Sequence, residues 1–363
     1  MNIVICCSII ALLLAYLESI GKLKHGMVVG FIIMTILEAI RYNYGNDYMS
    51  YYADFISYTN SSFNFQDIIS DYKEPGWVLL CWVFKPIGGF FMMMAAFAVI
   101  QNSIVYRSIK RYVEKQWWLL SFAIYILTVN YYLLSFSMIR QSFVVFLFIG
   151  LWPYIERKKW WIALLVLLLC SFVHSSAIIL LPFAFWGFLP VNKGRIVGLV
   201  YAIILLFLWF SQDKVNSIFQ YALSLNDALD EYATTYGERD IDVGFGVGFI
   251  INMIPFVLSI TFLISKSNHI TIAQKRMVAL AAVSYLILPF GQIIHLVARL
   301  GIYFGVFTIL TIPHIYGSIK NVFIRNGLLV LFVLIMVYSY ISFFNSEIYG
   351  ERYATFHSIF SVL

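Results

Sequence analysis

What this chain has little of is charge. Asp, Glu, Lys and Arg make up 12% of its 363 residues, about half the roughly 25% usual in soluble domains, while 62% are apolar. That shortage excludes a water-soluble globule. Disorder is excluded too, because 18% aromatic residues and long apolar runs cannot stay solvated. Cysteine is also sparse: Cys6, Cys7, Cys81 and Cys170 all fall in apolar blocks without metal-ligand spacing and read as core thiols. No Walker motif, dinucleotide fingerprint or Cys and His pairing for zinc is present, which disfavours ATP hydrolysis, flavin chemistry and a structural metal. A polytopic membrane protein remains.

The apolar blocks are 3–17, 27–40, 77–106, 117–134, 142–155, 160–173, 177–189, 196–210, 245–264, 277–294, 298–315 and 328–344. At a rise of about 1.5 Å per residue they predict about twelve transmembrane helices. A barrel would need alternating polarity over about ten residues, and these blocks are apolar all round. The expected fold is all-α, a single integral membrane domain over 1–363. The first block has no basic stretch before it and no small-residue cleavage site, so it reads as a retained helix and not as a signal peptide.

Lysine and arginine set the orientation. Lys22 and Lys24, then Arg107, Lys110, Arg111 and Lys115, then Arg157, Lys158 and Lys159, then Lys193 and Arg195, then Lys266, Lys275 and Arg276, then Lys320 and Arg325 occupy alternate connectors. Together they are 16 of the 24 basic residues and mark the cytoplasmic side. The other side carries two longer periplasmic loops, 42–76 and 211–244, richer in acids than bases, and both termini. Retention at the inner leaflet accounts for the net charge of +6 without a nucleic-acid partner.

Two blocks depart from a plain span. Block 77–106 is long and contains Lys85-Pro86-Ile87-Gly88-Gly89, so it is expected to hold one crossing plus a bent or partly re-entrant portion. Residues 160–189 hold two short halves around His174-Ser175-Ser176, and the basic clusters on both flanks require both to cross. Broken or short helices at membrane depth line cavities, which is where a site is sought.

Eight bases lie outside the cytoplasmic clusters. Lys73, Lys214, Arg239 and Arg352 sit in loops or the tail, and Lys85 snorkels or caps the bend. Arg140, in the polar hinge Ser135 to Ser142, reads either as a base anchoring a short turn or as an anion receptor, since guanidinium offers a rigid fork of donors to phosphate oxygens. Arg299 stands at another outer hinge, four residues from His295 and on the same helical face. His174 is either a satisfied core histidine or a general base, imidazole being able to exchange a proton near neutrality. Arg41 has Glu38 as a local ion-pair partner, yet it opens a Tyr-, Asn- and Asp-rich run suited to stacking on sugars and bonding their hydroxyls. Glu74, before Pro75, reads as a helix cap or a site carboxylate.

Outward arginines and a histidine between apolar helices suit a lipid-linked diphosphate whose tail lies in the bilayer. The arginines would hold the diphosphate and stabilise its charge on leaving, while a base deprotonates an acceptor sugar hydroxyl.

Arg41 to Tyr52 with its Gly45-Asn46-Asp47-Tyr48 core, Glu74-Pro75-Gly76-Trp77, Arg140-Gln141 after a Ser-Phe-Ser turn, and His174-Ser175-Ser176-Ala177, in that order, resemble the EpsG family of Wzy-like polysaccharide polymerases. The resemblance covers most of the first half by motif and the rest mainly by hydropathy. It implies a membrane glycosyltransferase, GT-C-like and independent of nucleotide sugars, that joins undecaprenyl-diphosphate-linked oligosaccharide repeat units into O-antigen (lipopolysaccharide), capsule or exopolysaccharide. The active site would face the periplasm from the bacterial inner membrane, with a flippase and a chain-length regulator as further partners. The expected assignments are His174 as first choice of base with Glu74 or Asp47 as substitutes, Arg140, Arg299 and Arg41 on the diphosphate, and Tyr48, Gln141 and His295 in support of the sugar. No cofactor or metal is expected, because arginines supply the charge a cation would. Arg299 and the acids of 211–244 match no motif and rest on the physical argument. The rivals are a transporter or flippase of lipid-linked sugars, which would need internal repeats or mid-membrane polar residues, a membrane O-acetyltransferase, and a structural subunit of an assembly complex.

Overall fold

The computed structural model describes residues 2–60, 62–211, 214, 217, 247–265, 270–291 and 295–361. They are almost wholly helical. The chain, expected as one membrane domain, divides into two compact units, Met1–Gly187 with Lys320–Leu363, and Phe188–Ile319.

In the first unit, α1 (Ile3–Ser19) opens on Asn2, whose side chain accepts the Val4 N–H, and α2 is Gly26–Ala39. The short strand β1 (Arg41–Tyr42) leads to α3 (Tyr48–Asn60), α4 (Phe65–Asp71), α5 (Pro75–Phe84) and α6 (Gly89–Tyr112). Next come α7 (Trp118–Leu127), α8 (Leu134–Ser137), α9 (Ile139–Gly150), α10 (Trp152–Glu156), α11 (Trp160–Val173) and a 3₁₀ helix, Ser175–Phe188. In the second unit lie α12 (Gly194–Phe210), α13 (Val247–Ile264), α14 (Ile272–Gly291), α15 (His295–Gly305) and α16 (Thr308–Ser318). The chain returns to the first unit with α17 (Val322–Phe344), α18 (Glu347–Gly350) and β2 (His357–Ser358).

Three of the described helices are long and apolar enough to cross a membrane singly: Gly89–Tyr112, Val191–Leu208 and Val322–Phe344. The pair Arg299–Gly305 and Thr308–Ser318, bent by 54°, makes a fourth. Shorter apolar helices include Ile3–Ser19, Gly26–Ala39, Trp160–Val173 and Ser175–Phe188. The chain is a multi-pass, all-helical membrane protein.

Where the apolar blocks predicted uniform helices, the structure shows breaks with local causes. Block 77–106 splits at Lys85-Pro86, and Gly88 and Gly89, at φ of 128° and 70°, turn the chain into α6. Residues 175–188 are 3₁₀ and contain Pro182, which removes one N–H and crowds the carbonyl four residues back. At about 2.0 Å per residue this segment reaches about 28 Å, against about 21 Å as an α-helix. A short half-span thereby approaches the roughly 30 Å of a hydrocarbon core. The 42–76 loop contains two helices, because Tyr48, Phe55 and Thr59 recur on one buried face of α3. Of the 211–244 loop, all but residues 211, 214 and 217 lie outside the described residues.

The two ends of the first unit differ in chemistry. At one end the side chain of Asn2 donates to the Tyr353 carbonyl and accepts from the Tyr44 hydroxyl at 2.9 Å. Ser137 Oγ meets Tyr353 Oη at 2.9 Å and accepts the Asn46 N–H at 3.1 Å. There β1 pairs antiparallel with β2, Arg41 opposite Ser358 and Tyr42 opposite His357. Gly45 sits at φ 111°, where a Cβ would come within 2.1 Å of the Phe136 carbonyl oxygen, so only glycine fits. At the other end Lys110 lies 3.3 Å from the Trp118 ring centroid and Arg325 lies 6.0 Å from that of Trp117. The 17 residues of α1 separate the two ends by about 25 Å.

Candidate active site

The site lies in the first unit, at the end that holds β1 and β2. Gly76 in the first turn of α5 packs against the backbone of Phe172 at the close of α11, where a Cβ would come within 2.9 Å. That approach sets Glu74 beside His174. The Glu74 side chain makes no capping bond to α5; it reaches across instead. Its Oε1 accepts from the Ser175 backbone N–H at 2.8 Å and from His174 Nδ1 at 3.1 Å, and its Oε2 accepts from Arg140 Nη1 at 2.5 Å.

Arg140 occupies the first turn of α9, where the helix dipole opposes a cation. Two carboxylates offset that cost: Glu74, and Asp54 on α3, whose Oδ2 is 3.2 Å from Nη2. The guanidinium lies 5.0 Å from the Tyr51 ring centroid and 5.3 Å from that of Trp77, two aromatic faces that favour a cation. Burial alone would raise the Glu74 pKa, but the bonds from His174 and the Ser175 N–H, with the charges of His174 and Arg140, outweigh it and hold the carboxyl at about 2. An ionised Glu74 can only accept. Its partner Nδ1 therefore carries a proton, and Nε2 is the ring nitrogen that this carboxylate leaves unengaged.

The structure thus brings together three residues singled out in the sequence, Glu74, Arg140 and His174, and adds Asp54, which the sequence reading counted only among the acids of a loop. The missing signal was helical spacing: Tyr51, Asp54 and Tyr58 share one face once 48–60 is a helix. The group holds one guanidinium, one imidazole and two carboxyl groups.

Arg41 and Tyr48, expected at substrate, are both buried. The Arg41 side chain is 2% exposed and donates to the carbonyls of Glu38 and, at 2.7 Å, Ser135. It lies between the rings of Tyr48 and Phe136. Tyr48 is fully buried, its hydroxyl donating to the Arg41 carbonyl at 2.9 Å, so its ring offers no face to a sugar. Gln141 is buried in α9. Asp47 is exposed before α3, close enough to Tyr353 to act on its phenol electrostatically. Arg299 belongs to the second unit, on α15, as does His295, whose side chain lies outside those described. Among the described residues no three His, Cys, Asp or Glu side chains group as metal ligands.

No curated protein and no solved structure matches this chain. A family model does, over residues 26–356, a stretch that includes Arg41 to Tyr52 and the whole Glu74, Arg140 and His174 group; the chain belongs to the EpsG family.

Proposed function

We propose that the chain is a polysaccharide polymerase that joins undecaprenyl-diphosphate-linked oligosaccharide repeat units at the periplasmic face of a bacterial inner membrane, through about twelve spans in a GT-C-like arrangement. Family membership supports polymer synthesis. The observation that carries the reading is the Asp54, Arg140, Glu74 and His174 group at the end of the first unit away from its basic connectors. The positive-inside rule turns that end outward.

In this mechanism His174 is the general base. Glu74 fixes its ring and tautomer, leaving Nε2 to take the proton from an acceptor sugar hydroxyl. The acceptor oxygen bonds the anomeric carbon of the donor sugar as the bond from that carbon to the diphosphate oxygen breaks, and the lipid diphosphate departs with the electron pair. Glu74, held at about 2, is a poor base near neutrality and acts by positioning. Arg140 is committed to two carboxylates, so its part is to hold Glu74 ionised and in place. Arg299 is proposed as a diphosphate ligand on its chemistry alone, a guanidinium fork that matches phosphate oxygens.

The test is the lipid-linked product pattern in cells carrying single substitutions. Arg140→Ala, Arg299→Ala and His174→Ala should each leave single-repeat glycolipid intact while long polymer disappears. Normal long chains from all three variants would overturn the proposal.

A further inference from the structure

At the basic end of the first unit, about 25 Å from the site along α1, a cavity of about 300 Å³ opens between α6 and the α9–α10 corner. It is lined by Arg107 and Arg111 of α6, Arg157 and Lys159 that follow α10, and the rings of Tyr112 and Tyr154. Four cations from two distant connectors thus converge on one hollow. Among the described residues none of the four forms an ion pair. The adjacent carboxylate, Glu156, accepts a bond from the Tyr112 hydroxyl at 3.3 Å. Retention of a connector in the cytoplasm needs positive charge but not its convergence on a cavity; like charges gathered in this way repel until an anion joins them.

Two further observations say what kind of anion. Ile100, Ile104, Arg107 and Arg111 recur on one face of α6, and Ile100 is among the exposed apolar side chains. That stripe runs from an apolar, outward-facing surface directly into the cationic hollow. Tyr154, Trp160 and Trp161 are exposed at the same corner, the aromatic signature of headgroup depth. An acyl chain lying along Ile100 and Ile104 would carry its phosphate to Arg107 and Arg111.

We propose that this cavity is a binding site for the phosphate diester headgroup of an anionic phospholipid, separate from the outer site and independent of the reaction assigned there. Guanidinium forks from α6 and from the 157–159 turn grip the phosphate oxygens, and the Tyr154 hydroxyl takes a glycerol oxygen.

The purified full chain in phosphatidylcholine nanodiscs containing a minor share of phosphatidylglycerol supplies the test, with bound lipid counted by native mass spectrometry. Wild type should retain phosphatidylglycerol in preference to phosphatidylcholine. Arg107→Gln with Arg157→Gln should weaken that retention about tenfold or more, whereas Lys22→Gln with Lys24→Gln, basic residues that do not line the cavity, should leave it unchanged. If the double variant fails to fold, Arg157→Gln alone, at an exposed position, should still weaken retention severalfold. Equal loss from both pairs, absence of preferential retention, or displacement of the lipid by inorganic phosphate at matching concentration would overturn the proposal, the last by showing a soluble phosphate to be the ligand.

Discussion

Arg140 and Glu74, 66 residues apart in sequence, are joined by a 2.5 Å bond from Nη1 to Oε2. The bond ties the entry of α9 to the entry of α5, and through Oε1 of the same carboxylate to the close of α11. Charge-assisted bonds of this kind are about twice as strong as neutral ones, so three helix ends are fixed around one carboxylate.

Arg140→Lys keeps the charge but not the fork. A single ammonium cannot hold Glu74 and Asp54 in the planar geometry that guanidinium gives. Polymer formation should fall by about 10²-fold through misplacement of Glu74 and His174, with a modest drop in melting temperature as one bond to the two carboxylates is lost. Chain-length analysis of the lipid-linked product, alongside a melting curve in detergent, checks both halves.

Replacing His174 should cost more. His174→Ala removes the proton acceptor, and a loss of about 10²–10⁴-fold in the transfer step is expected, with binding of the lipid-linked repeat unit retained. A binding assay on the purified variant separates the two, since a merely structural histidine would lose both together.

Acid sensitivity follows from Glu74. Its folded pKa, about 2, lies below the ordinary 4.5, so its ionised network stabilises the fold fully above pH 4.5, and that contribution is lost as pH falls toward 2. Glu74→Gln abolishes this dependence. Melting temperatures measured between pH 5 and pH 2 should therefore converge, with wild type losing more than the variant as acid is added.

Arg41→Ala should behave as a stability variant. It orphans two carbonyls and leaves Glu38, 1% exposed, without the nearby cation. A loss of about 3 kcal/mol is expected, seen as a lowered melting temperature and lower abundance, with residual polymer in proportion to the folded protein.

Much of this was legible in the residues themselves. Hydropathy marked α2, α11 and α17, and Pro86 with two glycines marked the break before α6. Arg140 and His174 stood out because each falls at a polar break between apolar blocks, and Glu74 because it stands before Pro75 where the chain enters one. The pattern could not say which elements meet. Asp54 became visible only when α3 proved helical, and the burial of Arg41 is set by the Ser135 carbonyl, 94 residues away. Glu74 suited a local cap by spacing, yet the close packing of Gly76 on Phe172 gave its carboxylate stronger partners than its own helix. The 3₁₀ form of 175–188 is a matter of reach, invisible to an apolar count.

The pairing of β1 with β2 also has a temporal side. Tyr44 and Tyr353, whose side chain and backbone meet at that seam, are separated by 309 positions, so the segment around 41–46 leaves the ribosome long before its partner exists. That end of the first unit must wait, unjoined, while the intervening helices are threaded into lipid, and a nascent chain arrested short of residue 353 would hold every residue of the Glu74 cluster before the strand pair beside Tyr44 could form.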